Sequence, residues 1–133
     1  MIEITEKKIS VSDVIDKMRS PEVGAIVAFL GTVRDLEGEE KVKYLEYEVY
    51  KDMALKKLSG IENGAKSTYD IKDVSIIHRI GRLGVGEDVL LVVVAAPHRK
   101  DAFRACAHIV DELKRVVPIW KKEVTDKGEH WVQ

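Results

Sequence analysis

Two apolar segments follow one another in the middle of the chain, and their closeness limits the folds that are available. Residues 74–80 and 89–96 each have the length and apolar content of a buried β-strand. Only eight residues separate them, and residues 81–86 include three glycines, so we predict strand, turn, strand. Strands joined by so short a connection pair antiparallel, which favours an α+β fold over a regular parallel βαβ array.

The remaining sequence alternates between strand-like and helix-like patterns. The predicted strands are residues 2–9, 24–33, 42–50, 119–124 and 130–132. The predicted helices are residues 12–18 with Ser12 as N-cap, 52–65, and 101–117 stopped by Pro118. The continuous apolar run 24–33 is expected to be buried on both faces, and the last two strands to form a hairpin. No repeat or linker interrupts the pattern, so we expect one α+β domain over residues 1–133.

Composition narrows the class of protein. Hydrophobic residues make up 45% and charged residues 34% of the chain, enough for one sizeable core. No apolar run approaches a membrane span, the N-terminus lacks the pattern of a signal peptide, and the single cysteine excludes an internal disulfide. We therefore expect a cytoplasmic protein. The net charge of -1 argues against a general nucleic-acid binder.

The near-zero net charge conceals an uneven distribution. Residues 98–122 contain seven cationic and three anionic side chains, whereas the rest of the chain contains 15 and 20. A locally cationic stretch in a neutral chain suits a small anionic ligand better than a long polyanion. The alternative is a solvated helix face with unbalanced charge, and the charge pattern alone leaves both open.

One lysine of this stretch falls among apolar residues of the predicted helix. The apolar stripe consists of Phe103, Cys106, Val110, Leu113 and Val117, which are spaced by three and four. Helical geometry places Lys114 close to this stripe. Its side chain could extend past the edge of the core, or its ammonium could lie in a partly dry pocket, where desolvation makes a usable acid, base or nucleophile.

Further cations lie at the ends of predicted elements. His98 and Arg99 lie between a predicted buried strand and the predicted long helix. At a helix N-terminus the free backbone N–H groups and the helix dipole favour the binding of anions. The alternative for Arg99 is a solvated first-turn residue. Arg34 ends a strand, and Lys121 follows Lys114 by seven residues, so that both lysines could face one pocket.

Other motifs in the sequence are weaker indications of a functional site. The glycines of residues 81–86 precede a strand rather than a helix, which argues against dinucleotide and P-loop sites. The four histidines lack carboxylates at ligand spacing, so we expect no metal and no cofactor. Cys106 lies on the apolar stripe and is interpreted as a core residue.

Five stretches together resemble, in order, the large (catalytic) subunit of molybdopterin synthase. They are residues 24–35 (GAIVAFLGTVRD), 45–53 (LEYEVYKDM), 77–86 (IHRIGRLGVG), 94–103 (VAAPHRKDAF) and 111–123 (DELKRVVPIWKKE). The resemblance implies an α/β-hammerhead core with an additional antiparallel β-sheet.

The implied activity is sulfur transfer in molybdenum cofactor biosynthesis. The sulfur would come from the C-terminal Gly-Gly thiocarboxylate of a small ubiquitin-like subunit, and cyclic pyranopterin monophosphate would become the dithiolene of molybdopterin. The implied assembly is a heterotetramer around a central homodimer. No cofactor, nucleic acid or membrane is expected as a partner.

The resemblance also implies roles for individual residues. Lys114 and Lys121 match the two active-site lysines of the family, and His98 and Arg99 match its anion-binding pair. The implied substrate contacts continue with Thr32, Val33, Arg34, Lys122 and Glu123. Some members of the family carry lysine at the position of Thr32.

Two other functions remain open at this point. One is a non-catalytic, anion-binding scaffold of the same fold that binds the small subunit. The other is an enzyme acting on a phosphate ester or nucleotide, although the sequence lacks a P-loop and a set of metal-binding carboxylates.

Overall fold

A computed structural model describes residues 1–132, the side chain of Glu37 excepted, and confirms the α+β prediction. The strands in this part of the chain are β1 (Ile2–Thr5), β2 (Ala25–Thr32), β3 (Leu36–Glu37), β4 (Glu40–Val49), β5 (Asp73–Arg79), β6 (Gly81–Gly84), β7 (Asp88–Ala96), β8 (Ile119–Thr125) and β9 (Gly128–Val132). The helices are α1 (Val11–Lys17), α2 (Lys51–Thr68) and α3 (Arg99–Val116). None of these helices has the length and apolarity needed to cross a membrane.

The first sheet has the strand order β1-β5-β7-β2. β1 runs parallel to β5, and the other neighbours are antiparallel. Helices α2 and α3 pack on one face through residues such as Leu58 and Ile109, while α1 covers the other face with Val14 and Met18. Because both faces are covered, the central strands β5 and β7 are almost continuously buried, and β7 is apolar from Val89 to Ala96.

The second sheet has the order β3-β4-β8-β9. β6 also pairs with β4, on the edge opposite to β8. The predicted C-terminal hairpin is confirmed as β8 and β9. A small core joins the end of the first sheet to this second sheet. It consists of Val33, Val42, Leu45, Leu83 and Val89.

The prediction of a turn over residues 81–86 is wrong. Gly81 and Gly86 have φ angles of 89° and 85°, a region that favours glycine, and they bend the chain at two points. Between these bends β6 pairs with β4 and fully buries Leu83. β5 and β7 are antiparallel neighbours as predicted. The segment that connects them contains β6, which belongs to the second sheet.

The expectation that residues 24–33 are buried on both faces is also wrong. β2 is an edge strand of the first sheet, and Leu30 is 40% exposed. An apolar run does not distinguish a central strand from an edge strand, because both supply a face to the core. Helix α1 differs in a smaller way, since its N-cap is Ser10 rather than Ser12.

Gly24 holds the start of β2 against the end of β7. Its N–H donates a hydrogen bond to the carbonyl oxygen of Ala96 at 3.0 Å. A Cβ at this position would collide with the backbone carbonyl oxygen of Pro97. The close approach therefore requires glycine, and it fixes β2 beside the residues that lead to His98.

Candidate active site

A cavity of about 980 Å³ lies beside the C-terminal end of α3, between the two sheets. Its size is within the range of small-molecule sites. Apolar residues of β2, β4, β7 and α3 form much of its wall. The polar side chains on the wall are Thr32, Arg34, Tyr47, His78, Lys114, Arg115 and Lys121.

Three cationic side chains reach this cavity from different elements. Arg34 follows β2, Lys114 lies in the last turn of α3, and Lys121 lies in β8. Pro118 separates α3 from β8, so the chain turns there and brings both lysines to the same cavity. The fourth cation, Arg115, forms an ion pair with Glu112 at 2.8 Å. The cavity is therefore suited to a small anion.

The structure corrects the predicted environment of Lys114. The buried face of α3 consists of Ala102, Ala105, Cys106, Ile109 and Leu113. Lys114 is exposed at the flank of this face, and Phe103 of the predicted stripe is 61% exposed. Cys106, Leu113 and Val117 of the predicted stripe are buried as expected, whereas Ala102, Ala105 and Ile109 take the place of Phe103 in the core. In the single chain the side chain of Lys114 is therefore in contact with water.

Three further residues of the predicted substrate site lie outside the cavity wall. Lys122 occupies the opposite face of β8 from Lys121; its Nζ lies 3.5 Å from Glu46 and 3.8 Å from Glu129. Glu123 is buried, and Val33 packs in the small core. In these positions the three residues are suited to stabilising the strands around the cavity.

The predicted anion-binding pair lies at the other end of α3. His98 is the N-cap residue, and both His98 and Arg99 are exposed beside a separate depression of about 460 Å³. Lys114 follows Arg99 by 15 positions along α3, which is a distance of about 22 Å at the helical rise of about 1.5 Å per residue. The resemblance implies that Arg34, His98 and Arg99 contact one substrate, but a single chain does not bring these three residues to one cavity.

The structure adds His78, a histidine to which the sequence assigns no site. His78 lies in β5, is 4% exposed and contributes to the cavity wall. Its ring meets the ring of Tyr47 edge-on, with centroids 5.2 Å apart. The available signal was a histidine at the end of the buried run Val74–Ile77, where a polar ring needs a partner.

Burial makes His78 a source of pH-dependent stability. Desolvation outweighs a backbone hydrogen bond and lowers its pKa from 6.5 to about 4. Below pH 6.5 the unfolded chain binds a proton that the native chain does not, so the free energy of unfolding falls as the pH decreases towards 4. We expect His78 to contribute about 2 kcal/mol to the decrease between pH 7.5 and pH 5.

Urea unfolding of the wild type and of His78→Phe at both pH values measures this contribution. The carboxylates are common to both proteins, so their titration cancels in the difference. An equal pH dependence of the two proteins would contradict the expectation.

The described residues contain neither a cluster of metal ligands nor an exposed thiol. Among residues 1–132, no group of three or more His, Cys, Asp or Glu side chains is placed to hold a metal ion. Cys106 is buried, and burial raises the pKa of its thiol. The thiol therefore stays protonated at neutral pH and is a core residue, not a nucleophile.

Comparison with known proteins identifies the family. The family model described as MoaE protein matches residues 4–116. The molybdopterin synthase catalytic subunit of Pyrococcus abyssi is 50% identical over 124 residues, which cover 93% of this chain and 84% of that protein. The crystal structure of molybdopterin synthase from Staphylococcus aureus matches with a TM-score of 0.94 and 38% identity, covering 98% of this chain and 96% of that one.

A more distant structure shares the fold. It is a protein–protein complex of subunits 1 and 2 of molybdopterin-converting factor from Helicobacter pylori, with a TM-score of 0.82 and 18% identity, covering 99% of this chain and 90% of that one. The fold, the match over residues 4–116 and the close relatives agree: this chain belongs to the MoaE family of molybdopterin synthase catalytic subunits.

Proposed function

We propose that this chain transfers sulfur from the C-terminal thiocarboxylate of a small ubiquitin-like subunit to cyclic pyranopterin monophosphate in the cytoplasm. The observation that carries the proposal is the convergence of Arg34, Lys114 and Lys121 on one cavity. A thiocarboxylate and a phosphate are both anions, and cations placed around them favour binding and stabilise developing negative charge.

A partner tail ending in Gly-Gly suits this cavity. Two glycines carry no side chains, so an extended tail that ends in them needs little space and can present its terminal acyl group to the lysines. The Helicobacter pylori complex of two subunits supports a small-subunit partner for this fold. Each tail supplies one sulfur, so two transfers complete the dithiolene.

The two lysines have different surroundings, which suggests a division of roles. We assign Lys114, exposed at the edge of the cavity, to general acid–base catalysis. Lys121 is half-buried in β8, where its charge is less screened by water. We assign it to the thiocarboxylate and to the oxyanions that develop during transfer.

The phosphate contact proposed for His98 and Arg99 requires a second copy of the chain. A separation of about 22 Å along α3 exceeds the length of a pterin monophosphate. We therefore propose that, in a central homodimer, one chain supplies His98 and Arg99 to the cavity of the other.

Product formation tests the proposal directly. The chain is mixed with the thiocarboxylated small subunit and cyclic pyranopterin monophosphate, and the dithiolene product is detected by mass spectrometry. The control is the same small subunit ending in an ordinary carboxylate, which has no sulfur to transfer. We expect product only with the thiocarboxylate; binding of both ligands without product would instead support a non-catalytic scaffold.

A further inference from the structure

His78 brings a hydrogen-bond acceptor into a cavity whose charged groups are donors. The cationic groups of Arg34, Lys114 and Lys121 can only donate hydrogen bonds. The ring of His78 belongs to the same wall, held edge-on by Tyr47. Because Tyr47 is the cross-strand partner of Lys121, the histidine and this lysine lie in neighbouring parts of the cavity.

The protonation state of the ring follows from its backbone contact. The Nδ1 atom of His78 lies 2.6 Å from the carbonyl oxygen of Arg79, which can only accept. Nδ1 therefore carries the proton and donates. The pKa lowered by burial keeps the ring neutral at physiological pH, so Nε2 carries a lone pair.

This lone pair is available to a ligand. Within the part of the chain that the structure describes, Nε2 makes no hydrogen bond and is not sealed in the interior. His78 is 4% exposed and belongs to the cavity wall, so a ligand in the cavity lies next to it. A neutral acceptor in this position selects ligands that present an N–H or O–H group, and it has no attraction for the anionic groups of the same ligand.

We propose that His78 is a specificity-determining residue whose Nε2 accepts a hydrogen bond from an N–H group of the pterin ring system. The inference rests on the proposed function, because the pterin is the part of the substrate that carries such donors. In this arrangement the cations hold the phosphate and the thiocarboxylate, while His78 selects the heterocycle.

Two substitutions of His78 distinguish the role of Nδ1 from the role of Nε2. In His78→Asn the side-chain amide can still donate to the Arg79 carbonyl, but it does not reach the position of Nε2. In His78→Gln the longer side chain places a carbonyl oxygen near the position of Nε2. The matched control is His108→Asn, which alters a half-buried histidine that packs on Tyr69 outside the cavity.

We expect His78→Asn to raise the KM for cyclic pyranopterin monophosphate about three- to tenfold, with kcat within about twofold of the wild type. His78→Gln should lie closer to the wild type, and His108→Asn should leave both constants unchanged. A purely structural role predicts the reverse order, with His78→Asn normal and His78→Gln impaired. Either that order or an effect confined to kcat would overturn the proposal.

A measurement on the unmutated protein covers the case in which a variant folds poorly. The ¹⁵N chemical shift of the His78 Nε2 should move when the pterin substrate is added to the complex with the carboxylate form of the small subunit. An unmoved shift under saturating substrate contradicts the role of His78. If the wild type binds the pterin but makes no product, the proposed function fails while the binding role of His78 stands.

Discussion

Replacing Lys121 with alanine is expected to lower kcat for molybdopterin formation at least about 100-fold, and Lys114→Ala should have an effect of similar size. Both side chains line the one cavity in which the acyl-sulfur group and the pterin would meet. Neither lysine supports the core, because Lys114 is exposed and Lys121 is half-buried at the cavity wall. The loss should therefore appear in single-turnover product formation with little change in melting temperature.

Lys127→Ala is the matched control for both substitutions. Lys127 is exposed in the turn between β8 and β9 and lies outside the cavity. We expect its kcat to equal that of the wild type. If Lys114→Ala, folded and bound to the small subunit, made product at the normal rate, its assignment to acid–base catalysis would be wrong.

Ile109→Ala is expected to lower the free energy of unfolding by about 3 kcal/mol. Ile109 is fully buried where α3 packs on the first sheet, so truncation leaves a cavity between them. The same helix offers a control in Phe103, a larger side chain that is 61% exposed. Phe103→Ala should cost less than about 1 kcal/mol.

Denaturant unfolding of the two variants decides which face of α3 is buried. The stripe of large apolar residues in the sequence includes Phe103 and omits Ile109, so it predicts the opposite order of stability. A larger loss for Phe103→Ala than for Ile109→Ala would show that the helix is rotated from the position described here.

The elements with a strong local pattern were predictable from the sequence. β5, β7 and α3 have continuous apolar or helical patterns bounded by Gly or Pro, and they lie close to their predicted positions. The edge position of β2 and the pairing of β6 with β4 were not predictable. Both depend on which strand lies next to which, and a pattern within one segment does not contain that information.

The residue types of the candidate site were predictable from the sequence. Which of these residues share one cavity was not. Lys114 and Lys121 are seven residues apart, so a single turn is enough to bring them to one cavity. His98 and Arg99 begin the same helix that Lys114 ends, and the rigid length of α3 keeps them apart. The position of His78 on the cavity wall was not predictable, because it depends on Tyr47, which only the fold brings beside it.

The close approach at Gly24 has a consequence for engineering this protein. The strand that begins there leads to Arg34, and the carbonyl that it approaches belongs to Pro97, one residue before His98. Any side chain at position 24 would displace the segment that leads to Arg34 and the segment that leads to His98 and Arg99. Stabilising alanines therefore belong at Gly60 and Gly64 of α2, which have open space around them, and a cross-link or label should avoid the start of β2.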